Sequence, residues 1–275
     1  MNSQDIEHTC AAAIKRLVSA GIDNPELDVL QLRKHYLTLS HSDLYKFNDA
    51  VSQREERVPL GYILGSAKFD SASFLVGKGT FIPREQSLPL LNDIILRANT
   101  LCVPKITDIC AGVGPLGISL ARRLSSPEVV FVEYNGVAIS YLEKNVYNLL
   151  PEECKSIVIQ KDIYSSDEFI EPAKRSDIVV ANPPFVPLGR ASLPEFSVHH
   201  PKDAIFSGED GKDAVRRCCF LADIALNVNG IIGVEHHESH VEFIGKLLSE
   251  LGFIHIRQIV DGDGKLRITT AIKSD

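Results

Sequence analysis

Midway along the chain, the stretch SDIVVANPPFVP (residues 176–187) ends an apolar, β-branched run at Asn182 and follows it with Pro183, Pro184 and Phe185. An asparagine side chain offers both a donor and an acceptor. Consecutive prolines contribute carbonyls without amides and fix the backbone direction. The Asn182 side-chain oxygen and the Pro183 carbonyl therefore form a rigid pair of acceptors that grips an –NH2 group by both hydrogens. Phe185 supplies a face for a planar group. The chemistry that calls for such stiffness is reaction at a planar nitrogen, whose lone pair must point along one line. The competing reading is a proline turn that caps a strand.

A second set of residues lies upstream. In Asp108-Ile-Cys-Ala-Gly-Val-Gly-Pro-Leu-Gly, Gly112 and Gly114 let a backbone approach a ligand closely. Pro115 removes a donor that a phosphate reader would use, which favours a ligand held by its sugar and amino-acid parts. Any tight turn also uses glycines. The next strand ends at Glu133, placed to accept from two ribose hydroxyls, and a third ends at Asp162, placed to accept from an exocyclic amine between Ile163 and Tyr164. Each acid alone reads equally well as a solvated strand end or a helix cap. Their occurrence at consecutive strand ends points to one ligand-binding edge.

The elements that position these residues alternate. After Pro104 the sequence reads as strands ITDIC, VVFVEY, SIVIQKD, DIVVAN, GIIGVEH, FIHIRQIV and KLRITTAIK, with helices LGISLARRL, GVAISYLEKNVYNLL, DAVRRCCFLADIALNV and VEFIGKLLSEL between them. Such alternation predicts an α/β fold, a parallel sheet with helices on both faces. The first 58 residues read as short helices. Gly21 stops the first, Pro25 opens the second with Leu27, Leu30 and Leu37 on one face, and SHSDLYKF restarts a third with Ser or Asp as cap. Residues 59–84 mix aromatics and β-branched residues with glycine and serine, the texture of a hairpin linking two domains.

Composition sets outer bounds. The 275 residues suit a large domain plus a smaller one, and a net charge of −7 disfavours a protein that grips a phosphate backbone broadly. No apolar run approaches a membrane span, and the N-terminal segment lacks a signal-peptide layout. Six scattered cysteines without a CxxC spacing read as reduced cytoplasmic thiols.

Asp-x-x-x-Gly-x-Gly, the acid after it, Asp162 and NPPF together resemble the class I S-adenosylmethionine-dependent methyltransferases that act on planar nitrogens. The segments AGIDNPELDVLQL, PLGYILG, KFDSASFLV, GTFIPRE and GDGKLRITTAIK are similar to the release-factor glutamine N5-methyltransferases over almost the whole chain. The resemblance implies a Rossmann-like domain with a mostly parallel seven-stranded sheet at residues 85–275, a hairpin linker at 59–84, and a helical domain at 1–58 that docks the substrate. It implies S-adenosyl-L-methionine as methyl donor, with S-adenosyl-L-homocysteine as product. Asp108 opens the donor motif. Cys110, Ala111, Gly112, Val113 and Gly114 would hold the methionine moiety, Glu133 the ribose, and Asp162 with Ile163 the adenine. Asn182, Pro183, Pro184 and Phe185 would bind the amide of a glutamine in a peptide chain release factor, Asn182 bordering the donor as well. The implied protein is cytoplasmic and monomeric, with no metal, no membrane and no nucleic acid as direct substrate.

Four positions depart from the family pattern: Cys110 in place of a glycine, Phe185 where tyrosine is commoner, Gln86-Ser87 after IPRE, and His200 where an acid precedes the proline. A paralog acting on a small-molecule or nucleic-acid amine or amide, or a cofactor binder without catalysis, stays open on the residues. His236 and His240, four apart beside His237, have the minimal spacing of two zinc ligands but no third, and read as polar loop or substrate-edge residues. Arg122-Arg123 and Arg216-Arg217 read as solvated helix faces.

Overall fold

The computed structural model describes residues 3–37, 43–101, 104–125, 128–190 and 195–275. Three helices open the chain: α1 (Ser3–Ser19), α2 (Pro25–Tyr36) and α3 (Leu44–Glu55), followed by a short α4 (Leu60–Leu64). Gly21 stops the first at φ 70, and the Asp43 carboxylate caps α3 by accepting from the Lys46 N–H at 3.0 Å. The serines of SHSDLYKF lie outside the described residues. Leu17, Leu32, Phe47 and Val51 form a core drawn entirely from this unit, against which Leu60, Ile63 and Leu64 pack.

The expected apolar face of α2 is corrected. Leu37 is buried, but Leu27 and Leu30 are 53% and 42% exposed. The helix instead buries Pro25, Asp28, Val29 and Leu32. The Asp28 carboxylate accepts from Arg54 Nε at 2.7 Å, and this buried ion pair sets the rotation of the helix.

The hairpin is shorter than 59–84. LGYIL is α4, and only β1 (Ser66–Phe69) and β2 (Ala72–Leu75) pair, antiparallel, between residues 66 and 75. Phe69 and Phe74 from it are fully buried in the core of the following sheet. A further helix, α5 (Leu88–Arg97), falls where the sequence reading assigned no element. Asp93 on it accepts from Arg97, Arg257 and Thr270 at 2.6 to 3.0 Å, which pins the helix to the far edge of the sheet.

Then come β3 (Ile106–Ile109), α6 (Pro115–Leu124), β4 (Glu128–Glu133), α7 (Gly136–Leu149), β5 (Lys155–Gln160), β6 (Ser176–Ala181), α8 (Asp213–Ala225), β7 (Leu226–Glu235), α9 (Val241–Glu250), β8 (Phe253–Val260) and β9 (Leu266–Lys273). Among the described residues the sheet has seven strands in the order β5-β4-β3-β6-β7-β9-β8, with only β9 antiparallel to its neighbours. Side chains alternate between its faces. Val179 and Ala181 join the core under α8 and α9, while Ile178 and Val180 join the core under α5, α6 and α7.

The chain runs outward from β3 to β5 and returns through β6, so connections diverge between β3 and β6. Divergence at the carboxyl ends of parallel strands leaves a crevice. No described helix is long and apolar enough to cross a membrane.

This burial gradient predicts unequal mutational costs. Phe131→Ala, in a fully buried strand position, should destabilise by about 3–5 kcal/mol in denaturant unfolding. Ile157→Ala, on the edge strand β5 beside Val130 and 36% exposed, should cost under about 1 kcal/mol. Equal costs would contradict the assigned core.

Candidate active site

The turn leaving β3 builds one wall of the crevice. Cys110 (φ 59), Gly112 (φ 57) and Gly114 (φ 86) all take left-handed backbone conformations. A side chain at such an angle costs on the order of 1–3 kcal/mol, so glycine is the unstrained residue at the position Cys110 occupies. The Cys110 thiol lies 3.9 Å from that of Cys218. At Gly114 a Cβ would stand 2.5 Å from Leu142 Cδ1 and 2.9 Å from Ile118 Cδ1. That glycine therefore seats α6 and α7 beneath the turn, and it is absent from the cavity wall.

Glu133 ends β4 beside this turn. One carboxylate oxygen accepts from the Gly112 N–H at 2.8 Å, and the other from the Tyr134 and Asn135 N–H groups at 2.9 and 2.8 Å. Asn135 then caps α7 by accepting from Val137 and Ala138. Burial pushes the Glu133 carboxyl above its usual range, although the Asn135 and Gly112 N–H bonds oppose the rise. Asp108, on β3, accepts from the Gly117 N–H at 2.8 Å. Its carboxyl is pushed up to about 7, first by burial and further by the Glu133 charge. Two buried carboxylates sharing a wall favour a ligand that carries positive charge.

After β5, Asp162 accepts from the Tyr164 N–H at 2.9 Å, which sets a tight turn. Ile163 is buried in the core under α8, and Tyr164 is 58% exposed. Arg217 holds this turn from beneath: its guanidinium donates to the Ile163 and Ser165 carbonyls at 2.6 and 3.1 Å and ion-pairs with Asp167. The expectation of a solvated Arg217 is thereby corrected. Arg123 likewise ion-pairs with the buried Asp70 of the hairpin.

Asn182 follows β6, with Pro183, Pro184 and Phe185 continuing the wall. The segment at 205–207 fixes the turn through an isolated bridge between Val186 and Phe206. Val186 donates to the Ile205 carbonyl at 2.9 Å, and the Ser207 N–H donates back to Val186 at 3.0 Å. Gly211 (φ 80) passes under Phe185, where a Cβ would meet the Phe185 carbonyl oxygen at 2.3 Å. The Phe185 side chain is half-buried against the core under α8.

These elements enclose a cavity of about 770 Å³, within the range of small-molecule sites. Of the residues singled out from the sequence, Asp108, Cys110, Ala111, Gly112, Val113, Glu133, Asp162, Ile163, Asn182, Pro183, Pro184 and Phe185 all line it. Sequence reasoning assigned no site role to Phe81, Arg84, Arg190, Arg267 and the segment 203–207, which complete the far wall. Phe81 and Arg84 stand in GTFIPRE, and Arg267 in GDGKLRITTAIK on β9; they are distant from the other wall in sequence and carry no local spacing signal for a site.

The histidines are corrected as well. His236 is fully buried at the end of β7, bonded to Thr269 Oγ1 at 2.8 Å and the His237 carbonyl at 2.9 Å, and burial pushes its pKa down to about 4. His240 is also fully buried and donates to the Asp210 carbonyl at 2.9 Å. Only His237 of the three reaches the cavity, where Arg190 lies 2.7 Å from its Nε2. No cluster of metal-ligating side chains occurs among the described residues.

Residues 93–193 match the Methyltransferase small domain family. A "Release factor glutamine methyltransferase" of Streptomyces coelicolor is 30% identical over 278 residues, covering 96% of this chain and 96% of the relative. One of Mycolicibacterium smegmatis is 29% identical over 277 residues, covering 95% of each. Among solved structures, the fold is shared with the T. thermophilus 16S rRNA N2 G1207 methyltransferase in complex with AdoMet and guanosine. That likeness has a TM-score of 0.51 and 22% identity, covering 76% of this chain and 49% of that one.

The raised Asp108 carboxyl makes a signed prediction. A folded-state pKa of about 7 exceeds the unfolded value, so the folded state holds the proton more tightly. Stability is then lost as pH rises from the ordinary carboxylate range toward 7. Asp108→Asn keeps an acceptor for Gly117 and removes this penalty. Its melting temperature relative to the unsubstituted protein should rise between pH 5 and pH 8 in thermal unfolding. A difference independent of pH would contradict the assignment.

Proposed function

This chain belongs to the release factor glutamine methyltransferase family, and from that premise we propose that it transfers a methyl group from S-adenosyl-L-methionine to the side-chain amide nitrogen of a glutamine in a peptide chain release factor. The observation that carries the reading is the meeting of the Asn182-Pro183-Pro184-Phe185 turn with the Cys110–Gly114 turn and Glu133 on one cavity wall system, at the point where the sheet connections diverge.

The donor fits the residues present. Glu133, with lone pairs remaining beyond its backbone bonds, accepts from the ribose hydroxyls. Asp162 accepts from the adenine amine while Ile163 packs on the base. The left-handed turn at residues 110–114 lets the methionine moiety lie against backbone. The two buried carboxylates, Asp108 and Glu133, suit a ligand bearing a sulfonium and an ammonium charge. When bound, the donor supplies an electrophilic methyl group.

The protein's part is aim. An amide nitrogen is a poor nucleophile because its lone pair is delocalised into the carbonyl. Asn182 Oδ1 and the Pro183 carbonyl accept the two amide hydrogens and turn the nitrogen toward the methyl group, with Phe185 fixing the amide plane. The N–C bond forms as the S–C bond breaks, and the amide nitrogen, now positively charged, loses one proton to water along the hydrogen bond that already orients it. The products are N5-methylglutamine and S-adenosyl-L-homocysteine. The helical unit, residues 1–58, docks the release factor through surface that includes the exposed Leu27 and Leu30. Such a protein works as a monomer in the cytoplasm.

Because aim matters most in the transition state, Asn182→Ala should lower kcat on full-length release factor on the order of 100-fold, about 3 kcal/mol. Affinity for S-adenosyl-L-homocysteine, measured by calorimetry, should change little. Transfer of labelled methyl at near-normal rate by Asn182→Ala would reduce NPPF to a structural turn.

A further inference from the structure

Glu195 sits in a single π-helical turn, Glu195–His199, in the long loop between β6 and α8. It is far from the helical unit in sequence but touches it directly. Its Oε1 accepts from Arg54 Nη1 at 3.1 Å and its Oε2 from Arg57 Nη2 at 2.8 Å. Arg54 also donates through Nε to Asp28 Oδ2 at 2.7 Å. The result is a chain of two acids and two guanidinium groups, Asp28–Arg54–Glu195–Arg57, with formal charges that cancel. All four side chains are at most 18% exposed. Surface ion pairs contribute little, whereas breaking a desolvated one strands a buried charge.

The two acids of this chain lead to parts of the proposed reaction. Asp28 lies on α2, the helix that turns Leu27 and Leu30 outward. On the other side, the Glu195 carbonyl accepts from His200 Nδ1 at 2.8 Å. The His200 ring rests 5.6 Å from Tyr62 and 5.3 Å from the cavity residue Phe81. Pro201 and the segment 203–207 that follow form cavity wall and pair with Val186 behind NPPF. Ion pairs and a hydrogen bond lead from α2 to His200, the chain runs on to 205–207, and hydrogen bonds from there hold Val186, four residues after Asn182.

We propose that Glu195 is a positioning residue: its clasp on Arg54 and Arg57 fixes the orientation of the docking helices relative to the Asn182 grip. It thereby matters for a macromolecular amide substrate and not for the methyl donor. This rests on the proposed release-factor reading for its substrate, but the clasp itself is testable without it.

The test compares the full-length protein with Glu195→Gln, Arg57→Glu and Glu195→Asp, the last keeping a carboxylate between the two arginines. Methyl transfer to full-length release factor and calorimetric binding of S-adenosyl-L-homocysteine are measured for each. Glu195→Gln should raise KM for the factor roughly tenfold, with kcat within about threefold, the pattern of lost uniform binding. Donor-product affinity should stay within about twofold, Arg57→Glu should raise KM at least as much as Glu195→Gln, and Glu195→Asp should keep KM within about threefold. An unchanged KM, or a parallel fall in KM performance, kcat and donor-product affinity, would overturn the proposal. Should the unsubstituted protein fail to methylate release factor, the function reading falls and hydrogen exchange decides the clasp. The Val186 and Ser207 amides should then exchange roughly tenfold faster in Glu195→Gln while Ala111 is unaffected. Equal exchange at all three overturns it.

Discussion

The carboxylate of Glu133 takes hydrogen bonds from three backbone N–H groups that belong to two strand ends: Gly112 after β3, and Tyr134 and Asn135 after β4. Gly112 can present its N–H there only because the turn from Cys110 to Gly114 is left-handed at three positions. The parallel pairing of β3 with β4 brings the two ends side by side, and Asn135 immediately begins the next helix as its cap. A single buried acid thus joins a strained turn, two strands and a helix start. Charge-assisted bonds of this kind are the strong ones. They make the donor-side wall rigid before any ligand arrives, which lowers the ordering cost of binding.

Stiffness on the opposite wall is built by other means. Pro183 and Pro184 remove backbone freedom, and the hydrogen bonds of Val186 to residues 205 and 207 and the close approach of Gly211 lock what remains. Placing two acids, Asp108 and Glu133, in one buried wall costs stability in the empty protein, as the upward displacement of both carboxyls indicates. A cationic ligand offsets that cost, so the site is a less stable arrangement held in place by well-packed cores on both faces of the sheet. The proposed reaction draws on both walls at once, one for the donor and one for the amide.

Much of this was legible in the residues because parallel strands and helices are written by local periodicity. The runs read as strands ended at Cys110, Glu133, Asp162 and Asn182, each within two residues of the ends in the structure, and so marked the edge that lines the cavity. What stayed hidden depends on contacts between distant segments. The two arginines of Arg216-Arg217 read alike, yet Arg217 reaches the carbonyls of Ile163 and Ser165 across the interior. Leu27 and Leu30 have helical core spacing, but a buried Asp28–Arg54 pair turned α2 the other way. The histidines after β7 looked like loop residues until β9 and the Asp210 carbonyl were seen to bury them. Helix α5 was legible too, since LPLLNDIILR places Pro89 in its first turn and buries Leu90, Leu91 and Ile94, but it lies between the hairpin and the sheet where the sequence reading assigned no element. Its place is fixed by Asp93 bonds to β8 and β9.

The central claim is that the Asn182 turn aims an amide nitrogen at the donor's methyl group. The most direct measurement is tandem mass spectrometry of full-length release factor after incubation with the protein and S-adenosyl-L-methionine carrying a deuterated methyl. The account predicts one labelled methyl on the side-chain nitrogen of a single glutamine. Label on a different atom or residue, or an unlabelled factor alongside a protein that binds the donor, would contradict it.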